Sequence, residues 1–284
     1  MSDRFGRIKI RLFRFEHQGR VWRYAQANRN IDAGGATWIA GPIERDNIRL
    51  TAEPAKDRLA IRIGYLRDPA APLSARRATQ SLGDLWHPWI PTDPVDVVCL
   101  EHEYGSAAPP KVQWIGHVTQ PSFSDVLLEL SCEPGSARVR AADQGPRVQR
   151  NCWKEAYSTG PRGCNLVRAD FETAATLTAV DGVYLTAAEF DGLPLSLLGG
   201  TCDWTDSTGL RRRRMITSHA GNKIRIHFGG PDLAPGTTVV VCPNCEQSWE
   251  ACGKRRPDPE NHFGGAIYLP VENPMSGGVS MSWG

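Results

Sequence analysis

Apolar and polar residues alternate along much of the chain with the period of two that is typical of half-buried β-strands. The clearest case is Arg58–Tyr65, in which Leu59, Ile61 and Ile63 are apolar. Further strand-like segments in the first half are Trp38–Ile43, Asn47–Ala52, Val95–His102, Val112–Val118 and Asp125–Cys132. Proline-rich stretches separate these segments, and no long amphipathic helix stands out. The pattern predicts a mainly β N-terminal module over residues 1–145.

The second half of the chain, after a boundary near Glu133–Gly135, also contains strand-like segments. A polar segment, residues 146–170, precedes a second predicted β module over residues 171–241, and residues 242–284 form a C-terminal tail. The pair Asp181-Gly182 predicts a hairpin turn. The other strand-like segments of this half are Thr176–Val180, Val183–Thr186, Arg211–Ile216, Lys223–Phe228 and Thr237–Val241. The stretch from Glu260 onward is expected to be irregular.

Composition narrows the class of protein. The 284 residues suffice for two domains at roughly 100–200 residues each, and the net charge of +2 gives no strong preference for nucleic acid or membrane surfaces. Neither a signal-peptide pattern nor an apolar run of membrane-spanning length is present, so folding in a cytoplasm is expected. In that compartment, eight cysteines favour metal binding or free thiols over disulfides.

Four of the cysteines form two spaced pairs. Cys245 and Cys252 have six residues between them, and Cys152 and Cys164 have eleven. Thiolates are soft, anionic ligands, and this uneven spacing suits an iron–sulfur cluster or zinc equally well on chemical grounds. The alternative is that these thiols are small buried apolar groups. Cys242 and Cys245 could also form a dithiol redox pair, although no helix signal follows them.

Other candidate residues carry weaker signals. The run Arg211–Arg214 could contact phosphates, but a strand places only alternate residues on one face, so a solvated edge or contact with an acidic partner is favoured. His262 would be a metal ligand if one cysteine were spare. The three remaining cysteines, Cys99, Cys132 and Cys202, lie in strand or turn contexts and are interpreted as structural. A cysteine-dependent enzyme would need a thiolate beside a base, and no motif supplies that arrangement.

The C-terminal cysteine pair carries a resemblance to a known family. Asn244-Cys245, Cys252 six residues further on, and the run His262–Pro270 are similar to the C-terminal signature of the tail-tip hub proteins of long-tailed phages. That family includes the hubs of gene transfer agents and the BR0599 group of phage proteins. Val112–Val118 together with Leu130–Pro134 also resembles the family's Trp-x-Gly-x-Val and Cys-Glu-Pro elements.

The resemblance implies a fold and a role. It implies two tail-tube-like β-barrel modules joined by a cysteine-bearing interdomain segment, and a [4Fe-4S] cluster bound by Cys152, Cys164, Cys245 and Cys252. Asn244 stands where the family has Gly, and the extra Cys242 could replace Cys245 as a ligand. Zinc at the same cysteines is the alternative, in a β-rich binding module without catalytic activity.

For function, the resemblance implies a structural virion protein and not an enzyme. The expected protein is a baseplate hub at the tail tip, assembled in the host cytoplasm as a homotrimer. It would link the distal tail protein to the central tail fibre protein, with transient passage of DNA through its lumen and no membrane contact.

Overall fold

The computed structural model describes residues 8–48, 57–68, 75–87, 90–135 and 148–269. It is mainly β, as the sequence pattern predicts. The chain divides into two compact units, Met1–Ala142 and Asp143–Gly284. Within the described ranges, no helix has the length and apolar character needed to cross a membrane.

The first unit is one nine-stranded sheet with a short helix. Its elements are β1 (Lys9–His17), β2 (Arg20–Ala25), β3 (Ile31–Ala33), β4 (Ala36–Ala40), β5 (Ile43–Arg45), β6 (Leu59–Gly64), α1 (Gln80–Gly83), β7 (Asp96–Glu103), β8 (Lys111–Phe123) and β9 (Leu127–Pro134). The strand order is β3-β4-β2-β1-β7-β8-β9-β6-β5, and the pairing is antiparallel except between β2 and β4.

This sheet curls because two consecutive strands stand near its opposite ends. Only Gly41 and Pro42 separate β4 from β5. The Gly41 N–H donates to the Ala25 carbonyl on β2 (3.2 Å), and the Pro42 carbonyl accepts from the Gly64 N–H on β6 (2.8 Å). Two adjacent residues therefore bond to both sides of the sheet and draw them together.

The two halves of the motif that carried the resemblance in this unit are cross-strand partners. Gly116 on β8 lies opposite Pro134 on β9, and Val118 lies opposite Cys132. A Cβ at Gly116 would lie 2.1 Å from the Glu133 carbonyl oxygen and 2.3 Å from the Trp114 ring. Glycine is required there because the indole covers its Cα.

The second unit contains a seven-stranded sheet and two helices. Its elements are β10 (Thr173–Thr176), β11 (Ala179–Asp181), β12 (Tyr184–Thr186), β13 (Thr201–Thr205), β14 (Arg211–Ala220), β15 (Lys223–Ile226), β16 (Thr238–Cys242), α2 (Trp249–Arg255) and α3 (Pro259–His262), with short 3₁₀ turns at Arg168–Phe171 and Ala188–Phe190. The strand order is β10-β16-β13-β14-β15-β12-β11. Fourteen buried side chains, among them Phe190, Trp204 and Ile224, form its core.

The second sheet curls by the same device as the first. Its end strands, β10 and β11, are separated only by Leu177 and Thr178. The Leu177 N–H donates to the Thr237 carbonyl next to β16 (3.0 Å), and the Thr178 N–H donates to the Thr186 carbonyl on β12 (2.8 Å). The chain thus passes from one end of the sheet to the other within two residues.

The arginine run lies on β14 and is paired within its own sheet. Arg212 donates through Nε to Asp206 Oδ2 (2.8 Å), and Arg213 donates through Nε and Nη2 to Asp203. The Arg214 guanidinium lies over the Trp204 ring. Arg212 and Arg213 therefore pair with carboxylates of the same unit, whereas Arg211 is exposed.

Asp206 also shapes the turn that leads into this strand. Its Oδ1 accepts hydrogen bonds from the Thr208 N–H (2.8 Å), the Thr208 hydroxyl (2.6 Å) and the Leu210 N–H (3.0 Å). Burial alone would raise the pKa of Asp206, but these bonds and the Arg212 guanidinium lower it below its ordinary value.

Several elements differ from the sequence predictions. Strands β1, β2 and β13 lie in segments for which no strand was predicted, and α2 and α3 occupy a region expected to lack helices. Helix α2 begins after Ser248, whose Oγ accepts the Ala251 N–H (3.1 Å), so an N-cap signal was present in the sequence. Most of the predicted strand Asn47–Ala52 lies outside the described residues.

Candidate metal centre

The structure brings the four predicted cysteines of the second unit together. Burial raises the pKa of the Cys252 thiol, and the neighbouring thiols of Cys164, Cys245 and Cys152 raise it further. All eight cysteines of the chain are free thiols. The four side chains therefore form a group that we call the four-cysteine centre.

Cys152 is held by backbone hydrogen bonds from two directions. Its own N–H donates to the Gln247 carbonyl (2.8 Å), and its Sγ accepts the N–H of Gly264 (3.2 Å). The side chain is 8% exposed. An N–H directed at sulfur is the kind of outer contact that orients a metal-binding side chain.

Cys245 has an equivalent donor in Gln247. The Gln247 N–H points to the Cys245 Sγ (3.4 Å), and its side-chain amide donates to the Lys154 carbonyl (3.3 Å). Gln247 has a φ of 57°, in the left-handed region that non-glycine residues seldom adopt. One residue thus connects the loop that carries Cys245 to the segment that carries Cys152.

Cys164 lies at the end of a tight loop. Its N–H donates to the Ser158 hydroxyl (3.0 Å), and the Asn165 N–H donates to the Ser158 carbonyl (2.7 Å). The Asn165 side chain bonds to both the N–H and the carbonyl of Gly160 (2.9 Å each). The residues between Cys152 and Cys164 therefore turn back on themselves, which brings two widely spaced cysteines to one place.

Cys252 is positioned by α2, the helix that the sequence analysis missed. The Cys252 N–H donates to the Ser248 carbonyl (3.0 Å), a regular bond of the first helical turn. The helix shortens the path from Cys245, so six intervening residues bring both thiols into the same group. Ser248 followed by Trp249 and Glu250 is the sequence signal that would have revealed this helix.

The glycines of the C-terminal signature allow close backbone contact. A Cβ at Gly264 would lie 3.3 Å from the Cys152 Sγ, and a Cβ at Gly265 would lie 2.2 Å from the Arg150 carbonyl oxygen. The Ala266 N–H donates to the Gln149 carbonyl (2.8 Å). Segment 263–266 therefore packs directly on segment 149–152, and only glycine permits this separation.

Cys242 lies apart from the four-cysteine centre. Burial raises the pKa of its thiol, and its other electrostatic neighbours are Tyr157, Arg168, Glu172 and Asp203. None of the four grouped cysteines is among them. Cys245, and not Cys242, is therefore among the thiols that act electrostatically on Cys252.

The remaining cysteines are buried core groups. Burial raises the pKa of Cys99 and of Cys202 to about 12, and it also raises that of Cys132. Such thiols stay protonated near neutral pH and are poor nucleophiles. Their positions agree with the structural role expected from the sequence.

His262 contacts the segments around the centre through polar bonds. Its Nε2 lies 2.9 Å from Arg256 Nη1, and its carbonyl accepts the Lys154 ammonium (2.7 Å). The same Nε2 lies 3.3 Å from Asp258 Oδ2, so both Arg256 and Asp258 contact this nitrogen. That nitrogen is therefore engaged by a guanidinium, which disfavours the role of metal ligand considered for His262.

These thiols could hold either a single zinc ion or an iron–sulfur cluster. Among the described residues, no set of three or more His, Cys, Asp or Glu side chains meets the geometry of a metal-ion site. One zinc ion bound tetrahedrally at about 2.3 Å would require sulfurs about 3.8 Å apart. In a cubane cluster each thiolate binds a different iron, so the sulfurs are farther apart. Four cysteine thiols, two of which accept backbone N–H groups, are a donor set that suits either group.

Comparison with known proteins finds similarity to a family of phage proteins in the C-terminal part of the chain. Residues 197–273 match the family model described as "Phage conserved hypothetical protein BR0599". This confirms the resemblance to phage tail-related proteins seen in the C-terminal signature. The matched segment includes Cys245, Cys252 and the glycine pair, whereas Cys152 and Cys164 lie before it.

Two further likenesses extend over nearly the whole chain. An uncharacterized protein of Xylella fastidiosa (strain 9a5c) is 27% identical, over 99% of this chain and 98% of the relative. A chain of the structure "Virion of native gene transfer agent (GTA) particle" superposes with a TM-score of 0.69, covering 95% of this chain and 90% of that one at 16% identity. At that identity, the second likeness establishes a shared fold.

Proposed function

We propose that the protein is a structural component of a phage virion, a hub of the tail tip or baseplate, stabilised by an iron–sulfur cluster at Cys152, Cys164, Cys245 and Cys252. The observation that carries the proposal is the combination of a fold found in a virion particle with a four-cysteine centre built around the BR0599-type signature. In this role the two curled sheets are tail-tube-like β-barrel modules.

The chemistry of the site supports a structural role for the cluster. The four cysteines come from separate parts of the second unit, and the unfolded chain holds no such group. Binding a metal group to ligands that meet only on folding adds its free energy to folding. The cluster would therefore fix segments 148–165 and 243–266, which contain no strand of the sheet.

A structural role also fits the cysteine electrostatics. A nucleophilic cysteine needs a lowered pKa and a neighbouring base. Cys242 borders a cavity of about 460 Å³ that is also lined by Tyr157 and Arg168, yet burial raises the pKa of its thiol. This cavity therefore has the wrong electrostatics for thiol catalysis.

The exposed face of the second sheet suits assembly with other virion proteins. Tyr184 is 39% exposed and lies against the Lys223 ammonium, while Met215 and Phe228 are both about half exposed. Tyr, Phe and Met are enriched at protein interfaces. In the proposed role such faces would join the copies of a homotrimer and contact the distal tail protein and the central tail fibre protein, around a lumen through which DNA passes.

Metal and sulfide analysis of anaerobically purified protein tests the cofactor. About four irons and four sulfides per chain, with broad absorbance near 400 nm, are expected. A colourless protein with one zinc per chain would support the zinc-stabilised binding module instead. Mass spectrometry of purified virions, with antibody labelling of their tips, tests the location. Absence from particles would overturn the virion role whatever the metal.

A further inference from the structure

Arg256 follows the last residue of α2 and contacts three of the segments that surround the four-cysteine centre. Its Nη2 donates to the carbonyl oxygens of Cys164 (3.4 Å) and Asn165, and its Nη1 lies 2.9 Å from His262 Nε2. Its backbone N–H donates to the Cys252 carbonyl (3.0 Å). One side chain therefore joins the Cys164 loop, the Cys252 helix and the segment that begins at His262.

The contact with His262 leads directly to Cys152. Gly264, two residues after His262, donates its N–H to the Cys152 Sγ. The Lys154 ammonium also donates to the His262 carbonyl (2.7 Å), which fixes the same segment from the other side. Moving His262 would therefore change the hydrogen bond to a cysteine sulfur.

The charge of Arg256 has a second consequence. Four thiolates in one place repel each other, and a guanidinium stays protonated in proteins, so it offsets part of that charge at every working pH. Arg256 Nε is buried and has no hydrogen-bond partner in the described part of the chain, so its N–H is available to an acceptor at the centre.

We propose that Arg256 is a positioning residue of the four-cysteine centre: its guanidinium holds the Cys164, Cys252 and His262 segments together and offsets the negative charge of the bound cluster. This inference rests on the proposed cluster. It names a residue outside the cysteine signature on which cluster retention depends.

Lys254 provides a matched control on the same helix. It is exposed and carries the same charge, but no hydrogen bond or ion pair is found for it among the described residues. Arg256→Met and Lys254→Met each remove one positive charge from the C-terminal end of α2. Arg256→Lys keeps the charge but loses the planar fork that reaches two carbonyls and a histidine at once.

The test uses full-length wild type and these three variants, purified anaerobically. Iron release to a ferrous chelator and the midpoint potential of the cluster are measured. We expect Arg256→Met to lose iron at least about 10-fold faster, as for other residues that support metal ligands, and to have a lower midpoint potential. Arg256→Lys should release iron faster but keep a potential close to wild type, and Lys254→Met should match wild type in both.

The outcomes separate this inference from the proposed function. Iron and sulfide in the wild type with unchanged release and potential in Arg256→Met overturn the role of Arg256 and leave the cluster in place. Equal effects of Arg256→Met and Lys254→Met also overturn it, because general charge would then suffice. Wild-type protein without iron and sulfide overturns this inference and the proposed cluster, while the virion role is still tested by the analysis of particles. If Arg256→Met does not fold, wild-type release from Arg256→Lys refutes the positioning role.

Discussion

The glycine pair of the C-terminal signature gives a prediction that can be tested with one added methyl group. The structure shows which atoms that methyl group would meet at Gly265 and at a control position. At Gly265 the new Cβ would lie 2.2 Å from the Arg150 carbonyl oxygen and 2.6 Å from the Phe263 ring. Ordinary C···O contacts are about 3.3 Å or longer, so segments 149–152 and 263–266 would have to separate by about 1 Å. Gly253 on α2 is the control, since a Cβ there meets its nearest atom, in Pro259, at 4.0 Å.

Gly265→Ala is expected to lower the free energy of unfolding, and Gly253→Ala is expected to raise it. Overpacking of this kind costs about 1–3 kcal/mol, and the backbone clash places Gly265→Ala near the upper end. For a unit of this size that corresponds to a fall in Tm of about 10 °C. Gly253→Ala should stabilise the helix by up to about 1 kcal/mol, because alanine is the better helix former.

Differential scanning calorimetry of the two variants beside wild type provides the measurement, with iron content determined on the same samples. Gly265→Ala should lose both stability and iron, since the displaced segment carries the Gly264 N–H that bonds to Cys152. Wild-type Tm and iron content in Gly265→Ala would refute the reasoning. So would an equal loss in Gly253→Ala, because the effect would then not depend on the contact.

Three further predictions concern other parts of the molecule. Cys245→Ser should abolish iron binding, measured by metal analysis, whereas Cys242→Ser should retain it; the reverse result would make Cys242 the ligand. Gly116→Ala should unfold at a lower temperature by calorimetry, while Gly135→Ala, whose Cβ meets nothing within 4 Å, should be near wild type; equal stabilities would contradict the motif explanation. Because the folded-state pKa of Asp206 is depressed, its stabilising contribution is present above the unfolded pKa of about 3.9 and is lost as pH falls through the folded value. Asp206→Asn should therefore reduce stability at pH 7 and narrow its gap to wild type in acid, measured by urea unfolding; a gap that is constant with pH would count against this.

The sequence predicted those strands whose burial is one-sided. Alternation of Leu59, Ile61 and Ile63 identified β6, and the Asp181-Gly182 pair identified the hairpin of β11 and β12. Strand β1 was missed because it is buried on both faces: Leu12 and Phe13 are adjacent and both fully buried, which destroys the period of two.

The sequence pointed to the thiols of the candidate site but not to the residues that position them. Cysteine chemistry and the resemblance pointed to four thiols as ligands, which stays a prediction; in the structure Cys164, Cys245 and Cys152 act electrostatically on Cys252. Their spacing along the chain could not show the loop closed by Asn165 or the position of Gln247. Both residues have left-handed backbone, which the sequence does not reveal. The Gln247 side chain also bonds to Lys154, which lies 93 residues away in the chain. Arg256 likewise belongs to no sequence motif, because two of its partners are backbone carbonyls, which any residue type can supply.

The two-residue step between β10 and β11 also restricts how neighbours can attach to the second sheet. A long free strand edge invites pairing with another chain, and natural proteins keep such edges short. Here the end strands have four and three residues, and Leu177 and Thr178 bond to both neighbours across the step. Any protein that binds at these ends of the sheet would thus have to do so through side-chain surfaces and loops and not by adding a further strand.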